Sequence, residues 1–161
     1  MLKLTFQATP SRFNFFNAYS TEEKPLPYYH VEVTVNINTH RQIDHALCGK
    51  PLMVEDGQSR VEMVTTASMA ADEKGLVHGG FIFGAADYAA MIAVNHPHVV
   101  LGASDVKFLK PVRVGETVTA KARVQEVKGK KYWVSVSVLR ADEEIFQGMF
   151  TCFVLDKHVL D

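Results

Sequence analysis

Asp87 is the only charged residue in the run Phe81-Ile82-Phe83-Gly84-Ala85-Ala86-Asp87-Tyr88-Ala89-Ala90-Met91-Ile92-Ala93-Val94, which begins directly after His78-Gly79-Gly80. An unpaired carboxylate is costly to bury, so its place calls for a strong hydrogen-bonding partner or a chemical task. If a helix begins near Gly79, its first amide N–H groups have no intrahelical acceptors and favour negative charge, and two glycines let another group come close to that backbone. A carbonyl oxygen held there can become an oxyanion. The structural alternative is that Gly79 and Gly80 only permit a sharp entrance beneath a sheet. Asp87 lies eight residues beyond Gly79, an advance of about 12 Å along one helix, so the two cannot serve one bound molecule from a single chain. Antiparallel pairing of two such helices across a two-fold axis would bring them together. Asp87 then has two routes, general base on a water or nucleophile through a transient anhydride. Its bland alternatives are acceptance of hydrogen bonds from a nearby loop, or exposure in a groove.

Around this pair, His78 is placed to hold the loop or to orient a substrate carbonyl. Asp72 lies in the same entrance loop, as a site residue or as a turn acceptor for free N–H groups. Lys107, Lys110 and Arg113 surround the Pro111 turn, and Lys128, Lys130 and Lys131 cluster at a later hairpin. Either set suits phosphates of an extended ligand, or is simply a solvated face. His96 and His98 lack an HExxH context or a nearby cysteine, so no metal is assigned. Ser104 has no GxSxG elbow, and the glycines match neither a Rossmann nor a P-loop pattern.

The elements that must position these residues follow from periodicity. Phe81 to Val94 is too long and too rich in alanine for an ordinary strand, shows no alternation, and is stopped by Asn95-His96-Pro97, so it reads as a helix covered on most faces. Such a helix needs a sheet around it. Candidate strands are Val31–Asn36, Leu52–Val54, Ser59–Thr65, Val99–Leu109, Thr117–Val127, Lys131–Arg140 and Ile145–Leu155, with turns at Glu55-Asp56-Gly57, Lys128-Gly129-Lys130 and Asp142-Glu143-Glu144. A short helix is expected from Arg41 to Leu47, closed by Gly49 and Pro51. The later strands are hairpin-linked and so antiparallel, an α+β meander curved around one central helix. Residues 1–38, interrupted by Pro10, Pro25 and Pro27, read as an extension that packs aromatics onto a single domain over 39–161.

A chain of 161 residues supports one domain with a substantial core. Its 17 basic and 18 acidic residues give no reason to expect nucleic acid as the main partner. Cys48 and Cys152 are far apart and outside any CxxC spacing, as in a reduced cytoplasmic protein. The run of fourteen residues from Phe81 to Val94 falls short of the roughly 20 needed to span a membrane.

Gly75-Leu76-Val77-His78-Gly79-Gly80, then Ala86-Asp87 in a small-residue helix, and later Phe108-Leu109-Lys110-Pro111-Val112-Arg113-Val114-Gly115-Glu116, resemble the hotdog-fold acyl-CoA thioesterases of the PaaI-like type. The resemblance covers roughly residues 50 to 155. It implies a hotdog fold, a curved antiparallel sheet wrapped around a long central helix, in dimers joined sheet edge to sheet edge or in tetramers. It further implies hydrolysis of a small or medium acyl-CoA in a tunnel between subunits, with Gly80, Phe81, Phe83, Tyr88 and Met91 as candidates to shape that tunnel and with no cofactor beyond the coenzyme A of the substrate. Carried onto this sequence, the Gly79 amide polarises the thioester carbonyl, Asp87 of the opposite subunit is base or nucleophile, and His78 holds the loop. The family commonly has asparagine or glutamine where Asp72 stands here, and an ionised carboxylate cannot donate a hydrogen bond as an amide does. The same fold also serves as a non-catalytic acyl-CoA sensor in a regulator of bacterial lipid synthesis, and that is the alternative function. A thioester dehydratase ranks below both, because that branch pairs a histidine with a glutamate on the helix.

Overall fold

The computed structural model describes residues 2–4 and 33–161. A two-stranded antiparallel ribbon joins β1 (Leu2–Leu4) to β2 (Val33–Val35). The rest of the expected 1–38 extension lies outside the described residues, apart from 36–38. A one-turn helix, α1 (His45–Cys48), is capped by Asp44, whose carboxylate accepts the Ala46 N–H at 2.7 Å, and ends at Gly49. It is shorter than the expected Arg41–Leu47 because Arg41 and Gln42 form a turn ahead of the cap.

Six strands then form one antiparallel sheet: β3 (Lys50–Glu55), β4 (Gln58–Val64), β5 (Val99–Phe108), β6 (Thr117–Lys128), β7 (Lys131–Arg140) and β8 (Glu143–Val154). Their spatial order is β3-β4-β6-β7-β8-β5. The hairpins β3–β4, β6–β7 and β7–β8 are where the turn residues put them, although Glu143 and Glu144 belong to β8 rather than to its turn. The simple meander is corrected at two joints. Strand β4 pairs with β6, and β5 crosses the sheet to pair with β8, Val99 opposite Val154 and Phe108 opposite Phe146. The long helix between β4 and β5 carries the chain from β4, inside the sheet, to the far edge beyond β8, so β7 and β8 lie between β5 and β6 and no hairpin can join those two.

That helix is α2 (Gly79–Val94), and it fills the concave face of the sheet. Alanines 85, 86, 89, 90 and 93 are buried and let the strands come close to its backbone, while Ile82, Tyr88, Met91 and Ile92 fill the gaps. The inward positions of the strands alternate as expected, with Val61 and Met63 on β4, Val118 and Ala120 on β6, and Val134, Val136 and Val138 on β7 all buried. One polar contact crosses this core, the buried Ser59 hydroxyl donating to the Ala89 carbonyl at 2.7 Å. The helix stops at Asn95, which adopts the left-handed conformation (φ 52°) and donates its N–H to the Met91 carbonyl.

Asn95 also ties the chain ahead of α1 to the end of α2: its side-chain oxygen accepts the Asn38 N–H at 2.8 Å and its side-chain nitrogen donates to the Asn36 carbonyl at 2.9 Å. Asn95→Ala loses both bonds and forces a Cβ residue without local hydrogen bonding into left-handed backbone, for an expected loss of roughly 2–3 kcal/mol. Asn95→Gly loses only the side-chain bonds and is expected to cost about 1 kcal/mol. Urea midpoints of the two variants check this, and equal losses would contradict the backbone share.

Candidate active site

The helix entrance is built by close approach. His78 caps α2 with its own ring, Nδ1 accepting the Gly80 N–H at 3.0 Å, and its carbonyl accepts the Phe81 N–H. A side chain on Gly80 would strike this ring, since a Cβ there would lie 2.8 Å from His78 Nδ1. On Gly79 a Cβ would lie 2.9 Å from the edge of the Phe108 ring. The two glycines thus make room for a capping imidazole and an aromatic wall. Among the described residues, the Gly79 N–H has no acceptor. Gly79 lines a groove of about 350 Å³ with Ile82, Phe108, Lys110, Pro111 and Val112.

The loop that carries His78 is held by a second loop. Val77 N–H donates to the Val112 carbonyl at 2.8 Å, Val114 N–H donates to the Gly75 carbonyl at 2.9 Å, and Leu76 and Arg113 form a bridge. On the other side His78 N–H donates to the Met69 carbonyl at 2.9 Å. Asp72 makes the turn bonds: one carboxylate oxygen accepts the N–H groups of Lys74 at 2.9 Å and Leu76 at 3.1 Å. It shapes the loop through these backbone donors.

Asp87 lies two turns further along α2, on the side facing α1 and β8. Its Oδ1 is buried and has no hydrogen-bond partner among the described residues. Loss of water around the carboxyl pushes its pKa up to about 6, with no cation offsetting the burial. Two thiols lie within reach of its charge, and no sequence motif marks either as a neighbour of the site. Cys48 of α1 is half-buried against Gly84 of α2, its Sγ 3.8 Å from where a Cβ would stand, and Cys152 is buried on the inner face of β8. Both are free thiols. Burial first, and the Asp87 charge second, raise both thiol pKa values, that of Cys152 to about 12. No local spacing links residues 48, 87 and 152, so only the fold reveals the cluster.

The remaining candidates are dispersed. Tyr88 and Met91 are buried in the core, Tyr88 between the rings of His40 and His45 at 6.4 and 6.0 Å. Phe83 is half-buried against Phe150 (ring centroids 5.6 Å), and Phe81 meets the edge of His78 at 6.4 Å. Lys110 lines the Gly79 groove, and Arg113 lies exposed in the paired loop beside it. Lys107 faces a different concavity of about 570 Å³ on the outer surface of the sheet, with Arg60, Lys121 and Arg123, where neither Gly79 nor Asp87 appears. No group of three or more histidine, cysteine, aspartate or glutamate side chains is arranged to hold a metal among the described residues. No helix among them is long and apolar enough to cross a membrane.

A helix laid in the concave face of a six-stranded antiparallel sheet, with a glycine-rich helix entrance and an acid on the second turn beyond it, defines a hotdog-fold protein. The chain belongs to the hotdog-fold thioesterase superfamily, with relatives of the PaaI-like branch. The family model described as Thioesterase superfamily matches residues 74–146. The chain is similar to the crystal structure of the uncharacterized protein PH1136 from Pyrococcus horikoshii, with 53% identity and a TM-score of 0.78 over 79% of this chain and 98% of that one. It is also similar to a single-substitution mutant of the phenylacetic acid degradation protein PaaI from Thermus thermophilus, with 26% identity and a TM-score of 0.64 over 69% of this chain and 96% of that one. Among curated relatives, 123 residues (76% of this chain) are 54% identical to the methylthioribose-1-phosphate isomerase of Aquifex aeolicus, and 95 residues (59%) are 32% identical to the transcription factor FapR of a Thermoanaerobacter species. The matches span 27% of the first protein's length and 48% of the second's.

The raised pKa of Asp87 has a stability consequence. The folded chain holds this proton more tightly than the unfolded chain, so the charge costs nothing below pH 3.8 and its cost grows up to about pH 6. Above that it amounts to roughly 3 kcal/mol. Asp87→Asn is expected to be the more stable protein at pH 8 by up to about this amount, and to show no gain at pH 4. Urea unfolding at the two pH values measures the difference, and a gain independent of pH would contradict desolvation as its source.

Proposed function

We propose that the protein hydrolyses small or medium acyl-CoA thioesters at a site shared by two copies of the chain. The observation that carries this reading is the pairing of two unsatisfied groups on one helix: a backbone donor at Gly79 and a buried carboxyl oxygen at Asp87. They are too far apart to meet within one chain and are suited to opposite sides of a thioester carbonyl.

Strand β5 supplies the way to join them. It is an edge strand with one side unpaired, and most of its residues from Gly102 onward are exposed. Its Phe108 end touches Gly79, while its Leu101 end is opposite Cys152, beside Asp87. Antiparallel pairing of β5 with a two-fold copy over its full length lays the Leu101 end of one chain against the Phe108 end of the other. Asp87 of one copy then approaches Gly79 of its partner. The same contact covers Phe108, which is 56% exposed in the single chain.

In this assembly the thioester oxygen accepts the Gly79 N–H, and negative charge that develops on it is met by the helix end. Asp87 takes a proton from water as the water oxygen attacks the carbonyl carbon. The C–S bond then breaks and the proton passes to the departing CoA sulfur. Direct attack by the carboxylate, with later hydrolysis of the anhydride, uses the same geometry. A carboxyl with a pKa of about 6 is mostly ionised at neutral pH yet a stronger base than an ordinary aspartate. His78 fixes the loop, and Lys110 with Arg113 offers charge to the phosphates of the CoA arm.

The second reading, acyl-CoA binding without turnover, is favoured by the similarity to FapR, which is named as a transcription factor and not as an enzyme. Release of free CoA from a panel of acyl-CoAs separates the two. The expected result is turnover that Asp87→Asn lowers by about 10²- to 10⁴-fold, with kcat/KM of the parent falling as pH drops below about 6 because the base becomes protonated. Saturable binding with no release of CoA from the folded parent would refute the enzyme and support the binding protein.

A further inference from the structure

We propose that Arg140 is a positioning residue for this reaction: from behind the groove wall it fixes the Pro111 turn, and through that turn the loop that aims the Gly79 amide. The proposal rests on Gly79 acting as the oxyanion donor.

Arg140 ends β7, well outside the sequence motifs around α2. Its Nη1 donates to the Pro111 carbonyl at 3.0 Å and to Glu116 Oε2 at 2.8 Å, and its Nη2 donates to Glu143. Glu116 Oε2 also accepts the Arg113 N–H at 2.8 Å, so one guanidinium and one carboxylate clasp the turn from both of its arms. The far arm has a further anchor, the buried Thr65 hydroxyl bonded to the carbonyls of Arg113 at 2.8 Å and Glu116 at 2.9 Å. For the Pro111 carbonyl, Arg140 is the only donor among the described residues. Proline itself offers no N–H to hold the turn.

From the turn the path to the site is short. Val112 accepts Val77 N–H at 2.8 Å, and Val77 stands two residues before Gly79. Pro111 and Val112 line the Gly79 groove, whereas Arg140 does not. Arg140 therefore acts through the wall and not on the ligand. A donor that moves by a fraction of an ångström loses more against a developing oxyanion than against a neutral carbonyl, so a positioning fault appears in kcat before KM. A purely structural fault lowers the melting temperature and leaves kcat alone at temperatures where the protein is folded.

The test compares Arg140→Met, Arg140→Lys and Glu143→Gln, with kcat and KM measured on an acyl-CoA that the parent hydrolyses. Arg140→Met is expected to lose about 10- to 100-fold in kcat with KM changed less than about twofold. Arg140→Lys, which keeps a cation able to reach one acceptor, falls between it and the parent. Glu143→Gln weakens the Arg140 and Lys110 ion pairs but leaves the Pro111 and Glu116 bonds, and its kcat is expected to stay near the parental value. If Arg140→Met does not fold, Arg140→Lys and Glu116→Gln carry the comparison, each with a several-fold loss in kcat. Unchanged kcat in folded Arg140 variants of an active parent overturns the positioning role alone. A parent that releases no CoA overturns the thioesterase reading, and the role of Arg140 with it.

Discussion

Wrapping a sheet around α2 leaves the helix's one acidic side chain where no group of the described chain donates a hydrogen bond to it, and the architecture of the site follows from that constraint. The helix is bearable as a core element because its other residues are small or apolar and pack against three alternating strands. Asp87 works against this packing. Its carboxyl gives up water and gains neither a cation nor a backbone N–H, which is the combination that raises a carboxyl pKa. A fold selected only for stability would place an alanine there, as it does at positions 85, 86, 89, 90 and 93.

The other half of the proposed site is made of backbone, and its precision would come from loops that hold one another. Gly79 and Gly80 contribute by what they lack, since the space of their missing side chains is taken by Phe108 and by the capping ring of His78. The ring consumes the second amide of the helix and leaves the first one open to the groove. Residues 75–77 and 112–114 pair as a short irregular ribbon, and Asp72 turns the chain ahead of it. A loop fixed from two sides is a better frame for an amide than a free glycine linker would be.

How much of this the sequence discloses depends on the range of the interaction. The apolar run, its single acid, the glycine pair ahead of it and the proline behind it are neighbours in the chain, and they mark α2 correctly to within two residues at its start. Alternation and turn residues likewise locate β3, β4, β6, β7 and β8. Local signals fail where a partner is chosen at a distance. Nothing within Val99–Phe108 says that it pairs with β8 and not with β6, because both are alternating strands of similar length. The thiols beside Asp87 come from positions 48 and 152. The guanidinium that holds Pro111 lies 29 residues further on, at a strand end that reads as an ordinary charged terminus. His78 carries a capping role that its residue type does not advertise, since serine, threonine, aspartate and asparagine are the usual caps.

Edge strand β5 joins these two themes. An exposed edge with unpaired N–H and C=O groups invites another strand, and proteins commonly blunt such edges with charge, bulges or covering elements. Here the strand has a bulge between Leu101 and Ala103 and charged residues at 105 and 107, yet Phe108 and Leu109 remain exposed beside the groove. In the proposed two-fold pairing those apolar groups are covered at the moment that Asp87 of one copy meets the helix entrance of the other. Burial of apolar surface then offsets the electrostatic cost of gathering a carboxylate and a polarised carbonyl in one dry site. In that proposed pairing assembly and competence for chemistry would be a single event, because the contact that satisfies the sheet edge would also complete the site. A lone chain keeps both the exposed aromatic and the unpartnered acid, and it is therefore penalised twice for remaining alone.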